Sequence, residues 1–504
     1  MSFQVVQIGL LQISADKSEK ILNTLKSDKS KIKRSSGITP SERYLNKLCD
    51  QTFLRLWGYP RVFRDQKSNK RSLVGKEICD FLVVFENHLI IFSEKNCSFP
   101  NTGDFDLDWS RWVKKTVLDS AGQLFGAERW IKNYPDRIFI DDLCQQKLPI
   151  ELPPKNQLEI HRIIIAHGSS ARCKNLLRGS GSLMINTSII GKDHLLKVSD
   201  GGLPFAVGQI DPRKGFVHVF DDVTLEIVLS NLDTIMDFLN YLDKKEQLIE
   251  RMNVWAAGEE DLLGYYFRQL NNKGEHDFIF PNDINGVSID EGFWEDYMNS
   301  PERKSKVEAD KISYAWDALI EEFSKHIMQG SQYYSVSFGS PDRVLRRMAR
   351  EPRTRRRLLS KSLLGILNKS SNDYKASRVV YPSKSGDPYY VFLLLPHPHE
   401  ITEDEYREVR RELLNAYCHV VKFIFPDALD IVGVATESGK GEYRSEDACY
   451  LDARIWTEDQ QKDAKRLKEE LNILNNIKES SSREYEYPIN QKTTRKRHKR
   501  KSQN

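Results

Sequence analysis

Ile78-Cys79-Asp80-Phe81-Leu82-Val83-Val84-Phe85-Glu86-Asn87-His88-Leu89-Ile90-Ile91-Phe92-Ser93-Glu94-Lys95 holds two apolar runs rich in Val, Ile and Phe, parted by the polar pair Glu86-Asn87. That pattern predicts an antiparallel hairpin with a two-residue turn. The start of one hairpin strand lies beside the end of the other, so Asp80 and Lys95 are expected at one end of the ribbon. Working outward, Thr39-Pro40-Ser41-Glu42 opens a helix: Thr39 caps, Pro40 suits the first turn and Glu42 sits at the capping-box position. Its apolar face would carry Leu45, Leu48, Cys49, Phe53 and Leu56, and Gly58-Tyr59-Pro60 stops it. A short strand at Val62-Phe63-Arg64 precedes the hairpin. After it come a loop with Pro100 and Gly103, a helical pattern from Trp109 to Asn133, and a strand at Ile160–Ala166. The predicted order is helix, three strands, helix, strand.

Metal-assisted phosphodiester hydrolysis needs carboxylates at one end of a sheet to hold a divalent ion, and a cation beside them for the charge of the transition state. Asp80, Glu94 and Lys95 are residues of that kind in the expected place. Here the sequence resembles the PD-(D/E)XK, or restriction-endonuclease-like, nuclease superfamily over about residues 39–168. The resemblance implies that Asp80 is the first metal-binding Asp and Lys95 the lysine of the (D/E)-x-K strand. It gives Glu42 the place of the acidic residue on the first helix, and Gln123 that of the glutamine on the following helix of recombination-type exonucleases. One position departs from the pattern. The acidic residue should stand two before the lysine, where this chain has Ser93, and alternation along a strand puts Glu94 on the face opposite Lys95. Glu94 would reach the metal only through a bulge or a twisted strand end. Asp104, Asp106 and Asp108 lie in the adjacent loop as an alternative carboxylate source. Glu42 has a second reading too, as the partner of Thr39 in the capping box.

Composition bounds the rest. The chain has 504 residues, 39% hydrophobic and 29% charged, enough for two to four domains with real cores. The longest apolar stretches fall far below the roughly 18–20 residues of a membrane span. Seven scattered cysteines without a Cys-x-x-Cys pair, and a start that lacks a basic n-region, suit a reducing cytosol, so the expected location is cytoplasmic. The net charge is +4; without the six basic residues of Arg495–Lys501 the remainder carries −2.

The expected fold class is multidomain α/β: a restriction-endonuclease-like core with a mixed sheet flanked by helices, then further mixed regions. Boundaries are drawn as a mobile basic arm at 1–38, the nuclease-like domain at 39–168, mixed regions at 169–300 and 301–478, and a disordered basic tail at 479–504. Within residues 343–361, nine basic residues stand against one acid. Arg346, Arg347, Arg350, Arg353 and Arg356 are therefore candidate contacts to a phosphate backbone, or an exposed helix paired with acidic neighbours. The function expected from these features is a metal-dependent nuclease acting on DNA or RNA. Asp80, Glu94 and Glu42 would bind Mg²⁺ or Mn²⁺, with Asp80, Glu94, Lys95 and Gln123 catalytic, and host defence or restriction the role by analogy. Ser93 favours the alternative, a nuclease-like nucleic-acid-binding or assembly subunit without catalysis.

Overall fold

The computed structural model describes residues 34–66, 74–328, 341–369, 374–384, 386–398, 400–438 and 445–488. The expectations for most of the basic arm, and for residues 489–504 of the tail, lie outside the described residues; residues 479–488, expected as the start of a disordered tail, are described and packed, with the Tyr485 carbonyl accepting from Arg357 at 2.7 Å and Glu486 lying 3.2 Å from His276. The fold is mixed α/β with three mixed sheets and helices on their faces. No helix among the described residues is long and apolar enough to cross a membrane.

The first helix, α1 (Pro40–Phe53), starts where the sequence predicts: the Thr39 hydroxyl accepts the Glu42 N–H at 3.1 Å. Next come β1 (Gly58–Arg64), β2 (Lys76–Phe85) and β3 (His88–Asn96). β2 and β3 form the predicted hairpin, with Phe85 opposite His88, and Glu86 takes the left-handed backbone conformation (φ 51°) that a two-residue turn demands. Gly58 has a packing reason: a Cβ there would lie 2.8 Å from the Phe81 ring.

Asp104 then caps a helix that begins earlier than the periodicity suggested, α2 (Phe105–Val113), which runs through a π-helical stretch at Lys114–Leu118 into α3 (Asp119–Asn133). β4 (Glu159–His167) follows, then α4 (Ser170–Leu177), β5 (Met184–Ile190), β6 (Ala206–Gln209) and β7 (Val217–Asp221). The first sheet has the order β1-β2-β3-β4-β7, antiparallel through β3 and parallel from β3 through β4 to β7. It does not close at residue 168 as expected. β7 completes its edge from beyond that boundary, after the chain has left to build β5 and β6, because β4 offers a free edge that a short apolar strand can pair. Alternate residues of β2 and β3 feed two cores. Phe81, Val83, Ile90 and Phe92 pack with Leu45, Cys49 and Phe53 of α1, whereas Leu82, Val84, Leu89 and Ile91 pack with Trp109 and Trp112 of α2 and Ala121 and Leu124 of α3.

Helices α5 (Thr224–Asn231) and α6 (Ile235–Arg251) lead to β8 (Asn253–Ala256), α7 (Glu259–Arg268) and β9 (Gly286–Ile289), which complete a second sheet ordered β6-β5-β8-β9. After α8 (Phe293–Asn299), α9 (Pro301–Asp310), α10 (Tyr314–Met328), α11 (Pro341–Ala349) and α12 (Arg353–Leu367) comes a third sheet. It consists of β10 (Ala376–Val380), β11 (Tyr389–Leu395), β12 (Asp430–Glu437) and β13 (Glu446–Asp452), with α13 (Glu403–Ile424) crossing between the parallel β11 and β12 and α14 (Glu458–Glu470) beyond.

The basic segment is a correction. Arg353 and Arg356, expected on a nucleic-acid surface, are 3% and 1% exposed. Asp317 of α10 accepts from both, at 2.7 Å each, and Asp233 accepts from Arg353 at 3.0 Å. Their neighbour Arg357, fully buried, is held by Asp310 at 2.7 Å. A guanidinium with five donors can be buried when carboxylates and carbonyls take them, and the acidic body supplies those partners. Arg346 and Arg347 are half-buried, Arg347 lying 3.6 Å from Asp430; Arg350 is exposed, 3.6 Å from Glu86 of the hairpin turn.

Candidate functional site

Parallel strands bring their C-terminal ends to one edge, where loops open a crevice that binds ligands in α/β folds. In the first sheet, Asn96 at the end of β3 stands beside His167 at the end of β4, and Ala166 stands beside Asp221 at the end of β7. The beginning of β2 joins them, because β2 runs against β3.

At this edge Asp80 and Glu94 meet. The Glu94 backbone N–H donates to the Asp80 carboxylate at 2.7 Å. Glu94 pairs in register with Ile165, whose face is the α1 side of the sheet, and its side chain reaches His167 on the same face, Oε1 lying 3.0 Å from Nε2. The other ring nitrogen of His167 lies 2.8 Å from Asp222 Oδ1, and the second oxygen of Asp222 accepts the Gly168 N–H at 2.8 Å. Gly168 is required here: its φ is +100°, and a Cβ would lie 2.1 Å from the Cys97 carbonyl oxygen. Trp112 of α2 fixes the same corner, its indole N–H shared between the carbonyls of Cys97 and His167 at 3.2 and 3.3 Å.

The electrostatics follow from this placement. Burial pushes the Asp80 pKa up to about 7 against the Glu94 N–H, and the nearby carboxylates of Glu77, Glu94 and Glu42 push the same way. His167 goes up as well, to about 9: burial opposes its charge, but hydrogen bonds and attraction from Asp222 and Glu94 outweigh it. Asp222 is held below the usual carboxylate range, since pairing with His167 and Gly168 outweighs burial. At neutral pH the edge therefore carries an imidazolium between two carboxylates, beside a carboxyl that gives up its proton only near neutrality.

The chain, compared with known proteins, matches no family model, no curated protein and no solved structure.

The other sequence-predicted residues stand apart from this pair. Lys95 pairs with Ala166 and lies with the α3 face, opposite Glu94; it is half-buried and, among the described residues, has no ion-pair partner. Gln123 is exposed on α3, and its side chain makes no hydrogen bond among the described residues. Glu42 works as a capping residue, its carboxylate accepting the Ile38 N–H at 2.7 Å, and reaches Asp80 only as a neighbouring charge. Asp104 caps α2, Asp106 accepts the Val198 N–H at 3.1 Å, and the buried Asp108 accepts from Thr102, so none of the three supplies a site carboxylate. Among the described residues, Asp80, Glu94 and Glu42 do not form a three-ligand cluster. The pair Asp80–Glu94 is still a fitting donor set for a hard ion, because Mg²⁺ is commonly held by one or two carboxylates with waters and substrate phosphate completing its shell.

Sequence reasoning passed over His167 and Asp222. The one signal available was position: a polar residue ending an apolar strand just before a glycine, and an acidic pair closing the next parallel strand.

One pH effect follows from His167. A base whose folded pKa exceeds its unfolded value contributes stability that is complete below the unfolded value and is lost as pH rises through the folded one. In EDTA, the urea midpoint of the wild type should decline between pH 6.5 and about 9, and His167→Gln should flatten that decline. Equal slopes in the two proteins would show that His167 is not charged between Glu94 and Asp222.

Proposed function

We propose that the protein is a divalent-metal-dependent phosphodiesterase acting on nucleic acid at the edge formed by Asp80, Glu94 and His167. The observation that carries this reading is the meeting of Asp80 and Glu94 at one sheet end, where the Glu94 backbone N–H donates to the Asp80 carboxylate at 2.7 Å and burial and like charge have pushed Asp80 up to about 7. Such a site holds surplus negative charge in a poorly solvated place, and a hard dication is the natural counter-charge. Asp80 and Glu94 would hold Mg²⁺ or Mn²⁺, their oxygens being the donors those ions prefer. When bound, the ion polarises a phosphoryl oxygen and acidifies its water.

The chain's own part is orientation and charge. The Glu94 N–H fixes the rotation of the Asp80 carboxylate, and His167 fixes that of Glu94. Asp222 keeps His167 protonated, so a positive charge stands 3.0 Å from the Glu94 carboxylate, in the surroundings where phosphorane charge would develop. His167 thereby takes the role that the resemblance gives to Lys95, which the strand turns to the other face.

The test is incubation of plasmid, single-stranded DNA and RNA with the purified protein in Mg²⁺, Mn²⁺ or EDTA. Cleavage is expected only with metal; His167→Gln should lower it by about 10²–10³-fold, and Lys95→Ala by far less. Loss with Lys95→Ala and not with His167→Gln would refute the assignment of the cation. A second reading, a nuclease-like subunit that binds nucleic acid or assembles without cutting, is favoured by one observation: Glu94 and Lys95 lie on opposite faces of β3. Salt-sensitive binding without cleavage in any metal would establish it.

A further inference from the structure

The opposite edge of the same sheet carries a different cluster. His161 near the start of β4, His218 near the start of β7 and Glu246 on α6 each present one ligating atom, and these atoms all lie within 4.8 Å of one another. Glu246 Oε1 is 3.1 Å from His161 Nδ1 and 2.8 Å from His218 Nε2. We propose that His161, His218 and Glu246 form a second metal site, which takes a divalent transition-metal ion of the zinc class and fastens α6 to the starts of β4 and β7.

Donor chemistry sets the class of ion. Two imidazoles with one carboxylate suit a borderline ion such as Zn²⁺, whereas Mg²⁺ and Ca²⁺ prefer all-oxygen shells. Bonds of about 2.0–2.2 Å around a tetrahedral ion separate neighbouring ligand atoms by roughly 3.4 Å, a spacing the three atoms reach with adjustments of an ångström or so. Both histidines are almost wholly buried, and Glu246 is partly open to solvent, so an ion has an approach from the helix side.

The surroundings support a metal ligand set over a simple ion pair. The Nε2 of His161 faces Asp243 Oδ1 at 3.6 Å, one turn before Glu246 on the same helix. That resembles the outer carboxylate which takes the second ring nitrogen of a metal-bound histidine and fixes its orientation. His88, at the start of β3, stacks on the His161 ring at 5.6 Å. Among the described residues the Glu246 carboxylate is the hydrogen-bond partner of the His218 ring, through Nε2, and the buried Nδ1 has none.

Full-length protein, stripped with a chelator and dialysed, should bind one Zn²⁺ tightly by calorimetry. It should also take up Co²⁺ with visible absorption that Zn²⁺ abolishes and Mg²⁺ does not. Removing an outer-shell partner costs about 10–100-fold in affinity, so losing a direct ligand in Glu246→Gln or His161→Gln should cost at least the upper end of that range. Asp80→Asn, at the other edge, should leave this binding intact, which separates the second site from the proposed phosphodiesterase centre. No tight Zn²⁺ in the wild type, binding that survives Glu246→Gln, or binding lost in Asp80→Asn would each overturn the proposal. If the Glu246 and His161 variants fail to fold, X-ray absorption on the zinc-loaded wild type decides: two imidazoles in the shell uphold the site, and an all-oxygen shell refutes it.

Discussion

Asp80→Asn is expected to abolish metal-dependent cleavage and, in the metal-free protein, to make the fold harder to unfold. The activity loss follows from removing one of two carboxylates. It should reach about 10³-fold or more, beyond the usual range for losing a single transition-state hydrogen-bond donor. The gain in stability follows from the sign of the pKa shift. An acid whose folded value lies above its unfolded one binds extra protons in the folded state, so stability falls as pH climbs from 3.8 towards about 7, and the penalty is complete above both. Asparagine removes the charge and keeps an oxygen for the Glu94 N–H. With allowance for the water that reaches this half-buried group, the gain at pH 8 should be about 1–2 kcal/mol. Urea unfolding in EDTA at pH 5 and pH 8, beside the cleavage assay, reads both quantities; the gap between variant and wild type should shrink at pH 5. If activity and stability fall together, Asp80 is a structural residue and the catalytic reading fails.

Asp317→Ala should be among the most damaging substitutions outside that site. Asp317 is the carboxylate shared by Arg353 and Arg356, each donating at 2.7 Å. Without it, Arg356 keeps, among the described residues, the carbonyls of Glu351 and Ala349, and Arg353 leans on Asp233 and Ser313. Removing one partner of a buried ion pair costs about 3–5 kcal/mol, because the other charge stays inside without compensation, and a whole domain commonly has only about 5–15 kcal/mol to lose. Lys361→Ala is the contrast: the lysine stands midway along α12 with its side chain exposed where it pairs with Glu484, and exposed pairs are worth about 1 kcal/mol or less. Thermal unfolding of the two variants should separate them clearly. Similar melting midpoints would show that the arginines are not held inside the protein.

This arginine cluster illustrates where one-dimensional reasoning stops. A run of nine basic residues against one acid has the composition of a phosphate-binding helix, and nothing in residues 343–361 says otherwise. The decision rests on Asp233, Asp310 and Asp317, which lie 36 to 120 residues away from the arginines they hold. The front site was half legible in the same way. Asp80 and Glu94 declared themselves because they flank apolar strands joined by a two-residue turn, so their nearness is a local consequence of hairpin geometry. His167 and Asp222 belong to strands whose parallel partners are set by long crossovers, and no local pattern announces that pairing.

What the sequence determined by itself is therefore what short-range sterics and apolar periodicity control: the cap of α1 at Thr39, the β2–β3 hairpin, the alternation that sends Glu94 and Lys95 to opposite faces, and the mixed α/β class. Tertiary structure alone decided that β7 completes the first sheet, that His167 stands between Glu94 and Asp222, that His161, His218 and Glu246 converge at the far edge, and that Arg353 and Arg356 turn inward. The physical reason is common to all four. Charged and polar groups gain their energy from whichever partner the fold places within about 3 Å, and those partners are chosen by strand order and helix packing across the whole chain.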